Sequence, residues 1–248
     1  MAYTTINKST DNFNTKIYTG TGSSNALTGV GFQPDLIWWK CRNSAKNHGL
    51  TDAVRGNTKI IRSNLNNTEN TASDYVQSFD SDGFTLGTNG NANSNGDTFC
   101  SWNWKAGGST SSNSDGNINS TVSVNTTAGF SIVSYTGNGY TNQTVGHGLG
   151  VKPAVIILKN RDDTNNLVVY HHKLNNGTNP EVKYLELNST NGQLDDASIF
   201  NDTAPTSSVF TIGNASDTGS GTGGNNEKII AYCFAEKTGY SKFGSYVG

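Results

Sequence analysis

The stretch YTGTGSSNALTGVGFQPDLIWWKCR, residues 18–42, decides the fold, because a close variant returns as YTGNGYTNQTVGHGLGVKPAVIILKNR, residues 135–161. Tyr135 lies 117 positions after Tyr18, and Pro153 lies 119 positions after Pro34. The change in spacing falls inside the glycine-rich loop, where insertions are tolerated. The chain is therefore predicted to contain two copies of one unit, each with an edge strand, a wide loop and a core strand.

Further correspondences extend the repeat, since FTLG at 84–87 matches FTIG at 210–213 and SWNW at 101–104 matches AYCF at 231–234. Short apolar segments alternate with turn clusters along the chain, which is typical of an all-β sandwich or barrel. We predict an all-β fold of two tandem jelly-roll-like (concanavalin-like) antiparallel β-sandwiches that arose by internal duplication. The predicted boundaries are 1–106 for the first sandwich, 107–118 for a linker rich in Gly, Ser and Asn, and 119–248 for the second sandwich.

The composition is polar but poor in charge. Charged residues make up 15% of the chain and the formal net charge is −2, whereas charged residues are about 25% of a typical protein. This balance gives no reason to expect nucleic acid or an acidic membrane as a partner. No apolar run reaches membrane-spanning length, and the opening MAYTTINKST lacks the features of a secretory signal. Three widely spaced cysteines do not predict a disulfide framework.

The four tryptophans raise the question of a stacking surface for sugars or bases. Under the repeat, Trp38 and Trp39 align with aliphatic residues, and the other two align with large apolar ones. Because large apolar side chains are mostly buried, the sequence predicts a core role for all four. The residues concerned and their partners are Trp38, Trp39, Trp102 and Trp104 with Ile157, Leu158, Tyr232 and Phe234.

No catalytic, cofactor or metal site is predicted. The dipeptide His171-His172 has no cysteine or acid at ligand spacing, and neighbours on a strand point to opposite faces. Glycoside hydrolysis needs two carboxylates that flank one bond. The only promising pair, Glu181 and Glu186, is predicted to lie on opposite faces of a strand.

Several longer motifs carry a resemblance to a known class of proteins. GFQPDLIWWKCRN (31–43), HGLTDAVRG (48–56), SFDSDGFTLG (78–87) and FCSWNWKAGG (99–108) are followed by VGHGLGVKPAVIILKNRDDTNNLVVYHH (145–172), AYCFAE (231–236) and GYSKFGSY (239–246). Together they resemble repeat-containing virion structural proteins of marine and cyanobacterial tailed phages, which are tail-fibre-like and lectin-like β-sandwiches. The resemblance implies a virion protein made in the host cytoplasm, and it implies no catalytic residue.

The sequence therefore predicts a non-enzymatic phage structural protein, an exterior fibre or tail adhesin that contacts host surface glycan. Its expected partners are other virion proteins, host glycan and further copies of itself, with a trimer favoured. One alternative is a capsid decoration or neck protein that binds other virion proteins. Another is a concanavalin-type module that binds or hydrolyses glycan. Since loops on a rigid scaffold carry function, the candidate contacts are Ser23, Asn25, Asn138, Tyr140, Asn142 and His147.

Overall fold

A computed structural model describes residues 4–219 and 225–246 of the 248-residue chain. The chain divides into two compact units, Asn7–Gly108 and Ser109–Gly248, and the second also includes Met1–Ile6. Strands account for 39% of the structure and helices for 9%, so the prediction of an all-β protein is confirmed. Neighbouring strands in the sheets pair antiparallel, as in a β-sandwich.

The N-terminal unit (Asn7–Gly108) contains a four-stranded sheet and a three-stranded sheet that share one core. The strands are β1 (Phe13–Thr19), β2 (Asn25–Thr28), β3 (Leu36–Cys41), β4 (Gly49–Asp52), β5 (Lys59–Ile60), β6 (Asn70–Thr71), β7 (Val76–Asp80), β8 (Gly83–Leu86) and β9 (Thr98–Trp104), and α1 spans Gly90–Asn93. The sheet orders are β1-β9-β3-β4 and β2-β8-β7, with β5 and β6 forming a separate pair. Trp39 and Phe99 from the larger sheet and Phe84 from the smaller one belong to the same buried cluster.

Two glycines allow this packing. A Cβ atom at residue 49 would overlap the indole of Trp39, and one at residue 83 would overlap the carbonyl of Leu27. Gly83 also closes a hairpin, since β7 and β8 pair with Asp80 opposite Gly83. The Asp82 carboxylate of that turn accepts hydrogen bonds from the amides of Gly29 (2.9 Å) and Gly31 (2.6 Å). The hairpin is thereby fastened to the loop that precedes β3.

The C-terminal unit (Ser109–Gly248 with Met1–Ile6) has a larger sheet. Its strands are β10 (Ser111–Asn113), β11 (Ser120–Asn125), β12 (Phe130–Thr136), β13 (Gln143–Gly146), β14 (Val155–Asn160), β15 (Val168–His171), β16 (Lys183–Glu186), β17 (Leu194–Asp195), β18 (Val209–Ile212) and β19 (Lys228–Phe234), and α2 spans Ala197–Phe200. Eight of them follow the order β10-β11-β12-β19-β14-β15-β16-β17, and β13 pairs with β18. Ile156 and Cys233 of the large sheet, Phe210 of the small one and Phe200 of α2 share one core.

The two units use the same central arrangement of strands. The order β1-β9-β3-β4 of the N-terminal unit recurs as β12-β19-β14-β15, and the pair β2-β8 recurs as β13-β18. The register agrees as well, because Trp38 lies opposite Trp102 and Ile157 lies opposite Tyr232. These pairs are the ones that the sequence repeat aligns.

The predicted linker differs from the structure. Within 107–118, Ser111–Asn113 forms β10, which pairs antiparallel with β11 in the eight-stranded sheet. The polar Ser/Asn composition that suggested a linker is also compatible with an edge strand, whose outer side faces water. The boundary between the units follows Gly108, and only residues 105–110 lie between the end of β9 and the start of β10.

The prediction that all four tryptophans are core residues is wrong for three of them. Trp39 is buried in the core of the N-terminal unit, but Trp38, Trp102 and Trp104 are only half-buried and lie outside that core cluster. Successive strand residues point to opposite faces, so Trp38 cannot follow Trp39 inward. Trp38 and Trp102 meet on the other face of the sheet, with ring centroids 6.0 Å apart.

Candidate functional site

The loop predicted to carry Ser23 and Asn25 is held by a buried amide. Asn93, at the end of α1, accepts hydrogen bonds from the backbone of Thr21 (2.9 Å) and from the side chain of Asn25 (3.0 Å). Its own amide group donates to the carbonyls of Ser23 and Gly87, each at 2.6 Å. Ser23 remains exposed and Asn25 is half-buried. The loop therefore has a fixed shape with few polar groups left for a ligand.

The corresponding loop of the C-terminal unit carries three of the predicted contacts. The Asn138 side chain accepts a hydrogen bond from the amide of Tyr140 (3.1 Å), which fixes the turn. Tyr140 itself is 70% exposed at the turn. Asn142 adopts a left-handed conformation with φ of 54° and accepts a hydrogen bond from Asn201 (3.1 Å).

His147 is not available for contact with a ligand, contrary to its selection from the sequence. The residue is fully buried, and its Nδ1 accepts a hydrogen bond from the amide of Leu149 at 3.2 Å. Its Nε2 lies 3.3 Å from the carbonyl of Thr206. Burial is the main cause that lowers the pKa of His147. The flanking glycines suggested an open loop, but the ring folds back to fasten that loop.

A cavity of about 410 Å³ lies in the C-terminal unit, at the start of β14 and the end of β15. It contains none of the six residues predicted from the sequence. Its volume falls within the range of about 300–1,000 Å³ typical of small-molecule sites. The lining residues are Val151, Lys152, Pro153, Ala154, Tyr170, His172, Gly177, Pro180 and Glu236.

Tyr170 gives this cavity its most unusual polar group. The side chain is fully buried and its ring packs edge-on against Phe200, with centroids 5.8 Å apart. Among the described residues, nothing forms a hydrogen bond with its hydroxyl. Burial, followed by the nearby charge of Glu181, raises the pKa of Tyr170 to about 12, so the phenol is neutral. Buried hydroxyls without a partner are rare and call for an explanation.

His172 and Glu236 form the polar rim of the cavity. Their closest nitrogen and oxygen, Nε2 and Oε1, are 3.7 Å apart. Both are held by the backbone of Phe243, whose carbonyl lies 2.8 Å from His172 Nε2 and whose amide donates to Glu236 Oε1 at 3.0 Å. The segment around Phe243 thus orients the rim. The Glu236 side chain remains 40% exposed.

The loop between β15 and β16 closes one side of the cavity. Asn175, Asn176 and Asn179 all have positive φ, between 47° and 56°. Asparagine tolerates this left-handed region better than other residues with a side chain. Glu181 lies in a 3-10 turn, Pro180–Val182, and not on a strand as predicted. Pro180 at the start of that turn provides a buried apolar contact.

Two buried cations, Arg55 and Lys159, are hydrogen-bonded within the structure. In the N-terminal unit, Arg55 contacts Asp52 at 2.5 Å and Glu69 at 2.9 Å, and the side chains of the first two are fully buried. In the C-terminal unit, Lys159 donates to the carbonyls of Asp163 (2.9 Å) and Asn165 (2.7 Å). Burial is the main cause that lowers the pKa of Lys159 to about 8. These groups hold turns in place.

Across residues 4–219 and 225–246, no group of three or more His, Cys, Asp or Glu side chains is placed to hold a metal ion. The three cysteines are free thiols. Burial raises the pKa of Cys100 and of Cys233, which keeps both as weakly reactive thiols.

Sequence reasoning missed Tyr170, Glu236 and Ala154 as parts of a site. They come from three strands or strand ends. The motifs in which they lie, 145–172 and 231–236, have no residue spacing typical of a ligand site. One signal was present, because the repeat places Ala154 where the first copy has Asp35. A change from a carboxylate to a methyl group at a shared position leaves space that other side chains can line.

Among the described residues, no helix is long and apolar enough to cross a bilayer. No curated protein and no solved structure shows a significant match to the chain. A family model described as a domain of unknown function, DUF7483, matches residues 8–248 and thus extends over both units. The chain belongs to the DUF7483 family.

Proposed function

We propose that the protein is a non-enzymatic structural component of a phage virion, located on the exterior as a fibre or tail adhesin that contacts host surface glycan. The observation that carries the binding part of the proposal is a cavity of about 410 Å³ lined by Tyr170, a buried residue whose hydroxyl has no hydrogen-bond partner among the described residues. The placement on a virion rests on the resemblance of the sequence motifs.

The finer architecture is part of the same proposal. We infer that the two units are jelly-roll-like sandwiches derived from one duplicated ancestor. The recurring strand order supports this inference, as do Tyr18 and Tyr135, which begin the repeated phrase. Each donates its hydroxyl to a backbone carbonyl, that of Ala92 (2.8 Å) and that of Thr218 (2.7 Å), respectively. Repetition of one sandwich suits a protein that extends from a surface.

The absence of catalysis is also proposed. A general acid or base must be free to reach the reacting atom, and the facing atoms of His172 and Glu236 are engaged with the backbone of Phe243. Glu186, considered for hydrolysis from the sequence, accepts hydrogen bonds from Asn166 (2.6 Å) and Asn191 (3.0 Å). These contacts favour binding over bond cleavage.

A glycan array probed with the fluorescently labelled full chain tests the proposal. We expect retention on a subset of glycans and no release of reducing sugar from them. Release of reducing ends would favour the hydrolysing alternative. Lack of retention, together with binding to purified phage particles, would favour a capsid decoration or neck protein.

The expected trimer has its own test. Light scattering of the purified protein at micromolar concentration should give three times the chain mass of 26.3 kDa. A monodisperse monomer would contradict the proposed oligomer.

A further inference from the structure

The residues that line the cavity differ from the residues at the equivalent positions of the N-terminal unit. Asp35 and Ala154 occupy the same place in the backbone ladder, because their carbonyls accept the amides of Ala53 and His172, each at 2.8 Å. In the N-terminal unit the Asp35 carboxylate occupies this region and accepts hydrogen bonds from the amides of Ala106 (2.6 Å) and Gly108 (3.2 Å).

The C-terminal unit has only the methyl group of Ala154 at that place. The same comparison puts Tyr170 where the N-terminal unit has Thr51, since they lie opposite Ile156 and Ile37, respectively. The Thr51 hydroxyl donates to the carbonyl of Gly56 at 3.3 Å. The Tyr170 hydroxyl has no such bond among the described residues. At this position the N-terminal unit has a small residue whose hydroxyl is hydrogen-bonded. The C-terminal unit has a tyrosine that lines the cavity and whose hydroxyl has no partner among the described residues.

The lining groups define what kind of molecule would fit. Tyr170 offers a neutral hydroxyl that both donates and accepts. The Glu236 carboxylate only accepts and the Lys152 ammonium only donates, so together they match adjacent hydroxyls. Pro153 and Pro180 supply apolar surface for the C–H face of a ring. A sugar ring presents all three kinds of group.

The charge and the size of the cavity narrow the class of ligand that it would bind. Glu236 and Lys152 line the cavity, and Glu181 lies close enough to raise the pKa of Tyr170. The two carboxylates outnumber the one ammonium, so they disfavour an anionic ligand. The cavity is near the lower end of the range for small-molecule sites. This size suits one sugar unit better than a longer chain segment.

We propose that the cavity lined by Ala154, Tyr170, His172 and Glu236 binds a single neutral, hydroxyl-rich sugar residue. This inference rests on the proposed function for the general class of ligand and deepens it by assigning the site and the type of sugar. The unit that provides the site is the C-terminal one. At the equivalent position of the N-terminal unit, the Asp35 carboxylate accepts hydrogen bonds from the chain's own amides.

Calorimetric titration of the full chain with free methyl glycosides tests the inference. The panel contains neutral hexosides and N-acetylhexosaminides together with a methyl glucuronide and a methyl sialoside. We expect saturable binding of at least one neutral glycoside at one per chain. Tyr170→Phe should weaken it about tenfold, since a hydrogen bond to a buried partner is lost. Ala154→Leu, which fills the cavity, should abolish it.

Tyr135→Phe is the matched control. Tyr135 is a buried tyrosine of the same sheet whose hydroxyl donates to Thr218 and does not line the cavity, so its variant should bind as the parent does. The inference is overturned if no neutral glycoside binds, if acidic glycosides bind better, or if neither cavity variant changes the affinity.

The two proposals can fail separately. Retention on a glycan array that Tyr170→Phe and Ala154→Leu leave unchanged would preserve the adhesin and remove this site. Binding of a neutral glycoside that both variants weaken, without retention on any immobilised glycan, would preserve the site and remove the adhesin. Circular dichroism of each variant shows whether it is folded before its binding is compared.

Discussion

At the scale of the residue, neutral amides do much of the work of holding the loops. Asn93 is fully buried and bonds to the backbone amide of Thr21, the side chain of Asn25 and the carbonyl of Ser23. It also donates to the carbonyl of Gly87, which follows β8. A buried amide whose groups are all hydrogen-bonded stabilises a loop. When the amide is removed, each of its partners is left without that hydrogen bond. The same reasoning applies to buried hydroxyls. The hydroxyl of Tyr135 is hydrogen-bonded, whereas that of Tyr170 has no partner among the described residues.

Replacement of Asn93 with Ala should lower the free energy of unfolding by about 3 kcal/mol, because buried backbone groups lose their partners at about 1–3 kcal/mol each. Denaturation in guanidinium measures the change. Ser24→Ala, at an exposed neighbouring position, is the control and should shift the free energy by less than about 0.5 kcal/mol. A mild effect of Asn93→Ala would mean that water replaces the amide.

The two tyrosines should respond in opposite ways to loss of the hydroxyl. Tyr135→Phe removes a hydrogen bond of 2.7 Å to a buried carbonyl and should cost about 1–2 kcal/mol of stability. Tyr170→Phe removes a hydroxyl without a partner among the described residues and should leave the unfolding free energy unchanged or raise it by up to about 1 kcal/mol. Thermal melts compare the two variants. Equal losses would show that Tyr170 serves packing and not a site.

At the scale of the element, β1 shows how an exposed sheet edge is protected. It is the outermost strand of the four-stranded sheet. The side chain of Asn14 accepts the amide of Thr15 (2.9 Å), and Asn25 donates to the carbonyl of Thr19 (3.4 Å). Side chains that occupy edge groups in this way discourage the addition of a foreign strand. In the C-terminal unit the equivalent strand, β12, is covered by β11 instead.

Strand β4 depends on a residue without a side chain. Gly49→Ala should destabilise the protein by about 1–3 kcal/mol, as expected for overpacking, because the new methyl group overlaps the ring of Trp39. Gly192→Ala is the matched control, since no atom lies within 4 Å of the added carbon. Urea denaturation of both variants measures the difference. Comparable stability of the two would show that the indole moves at little cost.

The strands were largely predictable, whereas the faces they present were not. Short apolar segments bounded by turn signals located β1, β3, β14 and β19. The repeat could not tell that Trp38 and Trp39 face opposite ways, because both faces of β3 carry apolar residues. The polar strand β10 has no hydrophobic pattern at all and is recognisable only from its pairing.

The candidate cavity lay beyond sequence reasoning for a different reason. It depends on a small residue, Ala154, and on the distance that folding leaves between Tyr170 and Glu236. An empty volume has no signature in residue types. The predicted contacts lie in loops rich in Asn and Gly, because such loops often bind ligands. In this structure, however, the His147 ring and the Asn93 amide form hydrogen bonds that hold the loops themselves.

At the scale of the whole molecule, three buried or half-buried histidines make the stability depend on pH. Burial is the largest cause that lowers the pKa of His48, His147 and His171. Between each lowered pKa and the unfolded value of about 6.5, the unfolded chain binds more protons than the folded one. Stability is therefore present at higher pH and is lost as pH falls below about 6.5.

His147 should account for much of this loss, because it is the most deeply buried of the three. We expect the unfolding free energy to fall between roughly pH 7.5 and pH 5.5, with a contribution from this residue of at most about 1.4 kcal/mol. His147→Asn retains an acceptor for Leu149 but cannot be protonated, so it should be less stable at neutral pH and show a shallower decline. Denaturation at both pH values measures each slope. Parallel slopes would assign the acid sensitivity to other groups.

The amides that hold the loops also determine how the stability of the protein depends on salt concentration. Attraction between exposed ions fades as dissolved electrolyte screens it over about 10 Å at 0.1 M. A bond from Asn93 to a carbonyl involves no net charge, and the Arg55 cluster is shielded from solvent. Neither interaction is weakened much by dissolved salt, so the fold should be as stable in seawater as in a dilute buffer.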